Sequence, residues 1–235
     1  MKKLLQTNKY LLLLLFVLCA PAHALGQDAE SGNPANWCRN GAFPGDGTNF
    51  RLARVLGAKG ARVYFHGDDE GCPGPKCRQK AYVVPGNEVI VSRSFGDWLC
   101  AWYQPPKGDE TVGWIPAHQL SVTEAEKNPP PARWLGSWEF YQNSLDIRRG
   151  AEAGTLAVEG EALWRGLGDN VHTGGVKGKA RPAGNVLTVE EEVCRVTLRM
   201  VGDYLVASDN SDCGGMNVRF NGVYHRKRAR VRRGR

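Results

Sequence analysis

Gly96-Asp97-Trp98-Leu99-Cys100-Ala101-Trp102-Tyr103, with Gly113-Trp114-Ile115-Pro116 shortly after it, is the stretch whose reading decides the fold. Both segments are short and aromatic, and the polar turn at 105–110 makes them a hairpin. Side chains on a strand alternate between faces. Leu99 and Ala101 therefore point one way, while Trp98, Cys100 and Trp102 point the other. Two tryptophans opposite the small apolar residues make either a ligand surface or a second packing interface.

The flanking sequence reads the same way. Arg62-Val63-Tyr64-Phe65-His66 has strand character and is followed by a loop, 67–76, rich in glycine, proline and acid. Tyr82-Val83-Val84 and Glu88-Val89-Ile90-Val91 flank Pro85-Gly86-Asn87, where proline presets φ and glycine and asparagine tolerate positive φ. Residues 116–120 are expected as a short helical turn into a last strand. So many short strands with tight turns make 60–123 a small all-β barrel. Asp97-Trp98 in one strand and Gly113-Trp114-Ile115-Pro116 near the end resemble the bacterial SH3-like domain. That resemblance implies a binding module rather than a catalyst.

Pro129-Pro130-Pro131 lies in a polar stretch, 124–132, that is expected as a semi-rigid linker and domain boundary. Beyond it, 133–226 is again strand-like. Strands are expected at 137–141, 145–149, 155–159, 162–165, 175–180, 186–190, 194–201, 204–208 and 217–225. Turns such as Glu159-Gly160-Glu161, Ala183-Gly184-Asn185 and Gly202-Asp203 join them. A meander of this kind closes on itself, since closure removes exposed edges. The expected fold class is all-β: an SH3-like small barrel followed by a second small antiparallel β-barrel.

The termini carry their own signals. Lys2, Lys3 and Lys9, an apolar run at 10–18 and Ala22-His23-Ala24 mark 1–24 as an export signal peptide. The run is too short for a membrane span. Cys19 follows Leu18, a poor context for lipid attachment, so cleavage after Ala24 and a periplasmic or secreted location are expected. Residues 25–59 are polar and expected as a flexible lead-in tethered by a disulfide. The net charge of +7 includes three cations in 1–24 and seven in 226–235, which leaves the body slightly acidic. A nucleic-acid partner is not expected. The basic tail, 227–235, is expected to be solvated and able to hold an anionic surface such as lipid headgroups or wall polymers.

Six cysteines follow the signal: Cys38, Cys72, Cys77, Cys100, Cys194 and Cys213. An even count in an exported chain argues for three disulfides. Cys72 and Cys77 with His66 make a partial zinc site, but a structural site needs four ligands and a local disulfide is the better account. Cys194 with Cys213 is the natural pair of the second barrel, which leaves Cys38 for Cys100.

Tyr64, Tyr82, Trp98, Trp102, Tyr103 and Trp114 form the candidate recognition set. Part of it must fill a small core, Trp114 first. Tyr82, Trp98, Trp102 and Tyr103 are the expected ligand-binding residues, suited to wall peptides or sugar rings. The acidic runs 68–70 and 209–212 lack calcium-loop spacing. His66, His118, His172 and His225 are isolated, with no nucleophile–base signature beside them, so no catalytic residue, metal or cofactor is expected. The function expected is an exported, non-catalytic binding protein of the cell envelope, with peptidoglycan or an envelope protein as ligand. Cys213-Gly214-Gly215 followed by a strand with alternating Val218, Phe220 and Gly222 resembles the C-terminal part of periplasmic lysozyme inhibitors, which makes an inhibitor of a cell-wall hydrolase the alternative. Asn221-Gly222-Val223-Tyr224 departs from their Ser-Gly-x-x-Tyr loop, with asparagine for serine and one residue fewer, and reads better as a structural strand. A cell-wall hydrolase is the second alternative and needs a catalytic pair the sequence does not display.

Overall fold

The computed structural model describes residues 33–45, 47 and 49–227. The expected signal peptide, the first part of the lead-in and the tail from 228 onward lie outside the described residues. Seven strands form the first sheet: β1 (Arg51–Val55), β2 (Val63–His66), β3 (Arg78–Val83), β4 (Glu88–Phe95), β5 (Trp98–Tyr103), β6 (Thr111–Pro116) and β7 (Leu120–Thr123). Their spatial order is β3-β2-β6-β5-β4-β1-β7, and every pairing is antiparallel. A register shift between Val91 and Ser94 bends β4. The sheet curls so that Val55, Phe65, Val83, Val91, Ala101, Ile115 and Leu120, one from each strand, meet in a single apolar interior.

The second sheet contains β8 (Gly136–Phe140), β9 (Asn143–Arg149), β10 (Leu156–Arg165), β11 (Val171–Ala180), β12 (Val186–Glu191), β13 (Cys194–Val201), β14 (Tyr204–Asp209) and β15 (Gly222–Arg226). It runs β11-β10-β9-β8-β15-β14-β13-β12 and is nearly closed into a barrel. At the seam, the Glu191 carboxylate accepts the Lys177 N–H at 2.6 Å, joining β12 to β11. An eight-stranded barrel is just wide enough for side chains to fill. Here Trp134, Trp138, Leu145, Leu198, Phe220 and Tyr224 fill it, so the interior is a core and not a cup. Burial pushes the Tyr224 hydroxyl far above its usual range, and it donates to the Phe220 carbonyl at 3.0 Å.

All three disulfides join the expected partners: Cys38–Cys100, Cys72–Cys77 and Cys194–Cys213. They place the folded chain in an oxidising, extracytoplasmic setting. The Cys72–Cys77 bond also removes the zinc reading, because both thiolates are consumed.

Four expectations need correction. The lead-in to 59 is not all flexible, because Arg51–Val55 is a strand between β4 and β7 with Ala53 and Val55 in the core. The linker at 124–132 is more than the semi-rigid spacer expected, because it is fastened in place. Pro129 is buried, and Arg133 just beyond the linker pairs with Glu126 at 3.6 Å and with Asp203 at 3.1 Å, which ties the connection to the second barrel. Glu159-Gly160-Glu161 is no turn but the middle of β10. Gly160 faces the filled interior, where a Cβ would lie 2.7 Å from Leu145 and 3.0 Å from Phe220. The last strand begins at Gly222, while Val218 and Phe220 enter the core from the loop before it.

The two sheets share a third apolar cluster. Ile90, Trp102 and Leu52 of the first meet Val201, Tyr204, Val206 and Val223 of the second. Gly202, at φ +56°, lets the β13–β14 turn come close enough that a Cβ there would overlap Leu52 at 2.5 Å. The sheets are packed together, not strung on a tether.

Candidate functional site

The Trp98–Cys100–Trp102 face of β5 is largely covered. Residues 36–45 cross it as a strap anchored by Cys38–Cys100, and Phe43 of the strap and Phe50 just after it pack against that face. The Trp114 indole N–H donates to the Asn36 carbonyl at 2.8 Å, and the Cys38 N–H donates to Asp68 at 2.7 Å. Closing a loop of 62 residues, this disulfide contributes about 4 kcal/mol in the chain-entropy model. Farther along, the second barrel covers Trp102, whose ring meets Tyr204 edge-on at 5.5 Å. The Trp102 N–H donates to Glu110 at 2.6 Å. Burial raises the Glu110 carboxyl above the usual carboxylate range, and that hydrogen bond opposes the rise.

The four expected ligand residues therefore part company. Trp102 is 4% exposed and belongs to the packing interface, so it is not available to a ligand. Tyr103 lies on the opposite face of β5, half-buried at the rim of the first interior, and burial raises its hydroxyl pKa. Trp98 is half-buried with its ring 4.6 Å from His66, whose Nδ1 bonds the Gly74 carbonyl at 2.7 Å. Only Tyr82, 41% exposed, stands on an open surface.

Tyr82 stands there in company. It sits directly opposite Tyr64 in the β2–β3 ladder, with ring centroids 5.8 Å apart and planes tilted by 60°. The Arg62 guanidinium lies 4.6 Å from the centroid of the Tyr82 ring, and Arg78 lies 4.6 Å from that of Tyr64. Arg62 also hydrogen-bonds the Tyr64 side chain, which, with the two neighbouring phenols, raises its pKa further. Lys80 shares the exposed face of β3 between Arg78 and Tyr82. Among the described residues, Arg62, Arg78 and Lys80 make no ion pair. Since β3 ends the strand order, its outer edge has no neighbouring strand in the sheet.

The sequence reading named Tyr64 in the aromatic set but passed over the cations. Their signal was present: Arg62-x-Tyr64 and Arg78-x-Lys80-x-Tyr82 have a period of two, which places each group on one face of a strand. Elsewhere, an open cleft of about 520 Å³ on the second barrel is lined by Glu159, Glu161, Glu191, Gln142, Thr173 and Lys177, among others. Among the described residues no group of three or more His, Cys, Asp or Glu side chains gathers as a metal site.

No family model, curated protein or solved structure matches this chain.

Proposed function

We propose that this is a non-catalytic binding protein of the cell envelope, periplasmic or secreted, and that its first sheet binds peptidoglycan or an envelope protein. The observation that carries the reading is the row Arg62–Tyr82–Tyr64–Arg78, exposed except for a half-buried Tyr64, on the end strand of the sheet order and its neighbour. Three disulfides fit the compartment, and the SH3-like resemblance fits a binding module. Cations without acidic partners on one face give it a positive potential that draws an anionic ligand. Tyrosine adds hydroxyl donors on rigid stems at low entropic cost.

Retention of the purified, disulfide-bonded protein on peptidoglycan sacculi tests this. Wild type is expected to co-sediment, and Tyr82→Ala to bind several-fold less with its fold intact by circular dichroism. Failure to bind both sacculi and solubilised envelope proteins would overturn the reading.

A second reading, inhibition of a cell-wall hydrolase, is favoured by the loop between β14 and β15. Met216 is 74% exposed there, while Cys194–Cys213 and the Asp209 carboxylate, which accepts the Ser211 N–H at 2.8 Å and the Phe220 N–H, hold the loop in one shape. A preorganised protruding loop is what tight inhibitors present. Hydrolase activity left in the supernatant of the same experiment decides it.

A further inference from the structure

Resting on the proposed binding role, we infer that the β2–β3 surface reads carboxylates of the wall's peptide stems, not its sugar rings. Stacking a sugar needs an open aromatic face. Here Arg62 lies against the Tyr82 ring, Tyr64 tilts toward its neighbour, and Arg78 lies against the Tyr64 ring. The rings are interleaved with guanidinium planes, so what they offer outward is edges and hydroxyls. Their work is to hold the two guanidinia apart and in fixed orientation.

A guanidinium has five N–H donors, so one laid on a ring can still offer a fork to a planar, bidentate acceptor such as a carboxylate, even at Arg62, which gives one donor to the Tyr64 side chain. Lys80 supplies a third, mobile cation on the same face. Three cations without an acidic partner among the described residues make the face complementary to an anionic chain. Because β3 ends the strand order, no strand of the sheet pairs with the outer edge along which such a chain would run. The expected occupant is therefore a polymer bearing repeated carboxylates on short peptides.

The test compares retention of the full-length protein on native sacculi, on sacculi with amidated stem carboxylates, on glycan strands stripped of peptide, and on vesicles of phosphatidylglycerol. Wild type should bind native sacculi and lose about tenfold or more on amidated or stripped material, since charge-assisted bidentate bonds carry the contact. Arg62→Gln with Arg78→Gln should reproduce that loss on native sacculi. Replacing both by lysine should restore binding only in part, because the charge returns without the fork. Melting curves establish that each variant is folded; these side chains are exposed and outside the core. Strong binding to sacculi that ignores both amidation and the arginines would overturn this inference and leave the binding role standing. Equal, arginine-dependent binding to phosphatidylglycerol vesicles would overturn it in favour of phosphate. Absence of binding to any sacculi would overturn this inference too, and would leave the binding role to the envelope-protein arm of the earlier experiment.

Discussion

The first sheet and the second barrel are built from similar strands but bury them differently. In the first, the central strands are covered on both faces. Leu99, Cys100, Ala101 and Trp102 of β5 are buried in succession, as are Val89, Ile90, Val91 and Ser92 of β4. One set faces the curled interior, and the other faces the strap and the second barrel. In the second barrel, β13 alternates Cys194, Val196, Leu198 and Met200 inward with Arg195, Thr197 and Arg199 outward. A half-buried strand alternates, whereas one buried on both faces reads as a continuous apolar run. The run in β5 was thus a statement that something covers the tryptophans.

Several experiments break or sharpen this contrast. The largest effect is expected from truncating the buried indoles, Trp114→Ala on the strap side and Trp138→Ala inside the second barrel. Each should cost about 3–5 kcal/mol. Because the sheets share an apolar cluster, both losses should appear in one cooperative transition, followed by fluorescence and circular dichroism in denaturant. Two separate transitions, with Trp114→Ala moving only one, would show that each sheet folds alone.

Disulfide removal ranks next. Paired cysteine-to-alanine changes should cost about 4 kcal/mol for Cys38–Cys100, about 3 for Cys194–Cys213 and about 2 for Cys72–Cys77, following loop length. Denaturant midpoints give the order. If the Cys72–Cys77 pair proved the most costly, local strain and not chain entropy would dominate.

A smaller effect isolates the seam between the two sheets, where Trp102 meets Tyr204. A double-mutant cycle on Trp102→Phe and Tyr204→Leu should return a coupling of about 1 kcal/mol, the value of an edge-on aromatic pair beyond its buried area. A coupling of zero would make the contact incidental.

The smallest is a pH effect at the same seam. Burial lifts the Glu110 carboxyl, so the folded state holds its proton more firmly than the unfolded chain does. The ionised group then costs stability at neutral pH, and the cost vanishes as pH falls through its raised pKa. Glu110→Gln should therefore gain most relative to wild type at neutral pH, and the gain should shrink as the solution is acidified. A gain that grows on acidification would reverse the assignment.

How far the fold could be read from the chain depended on whether the cause was local. Strand β1 was missed although Leu52, Ala53 and Val55 carry strand character, because the polar residues before it pulled the reading toward a loop. Gly160 was read as a turn because glycine between two glutamates is a turn signal. Its reason is instead the crowding of Leu145 and Phe220 inside the barrel, which lie far from it in sequence. Tyr82 stands out by residue type alone, and period two puts cations on its face, but which arginine lies on which ring emerges only when β2 and β3 are aligned in register.

Period-two alternation, turn residues and an even cysteine count determined the all-β class, the two faces of β5 and the number of disulfides, because each is written in residues near one another in the chain or in simple parity. Tertiary structure alone decided what lies against the outward face. The strap and the Tyr204 side of the second barrel cover Trp102, so only Tyr82, on the edge strand, remains open. Alternation can specify that a face is apolar, but burial is a property of two surfaces, and the second one arrives from about a hundred residues away.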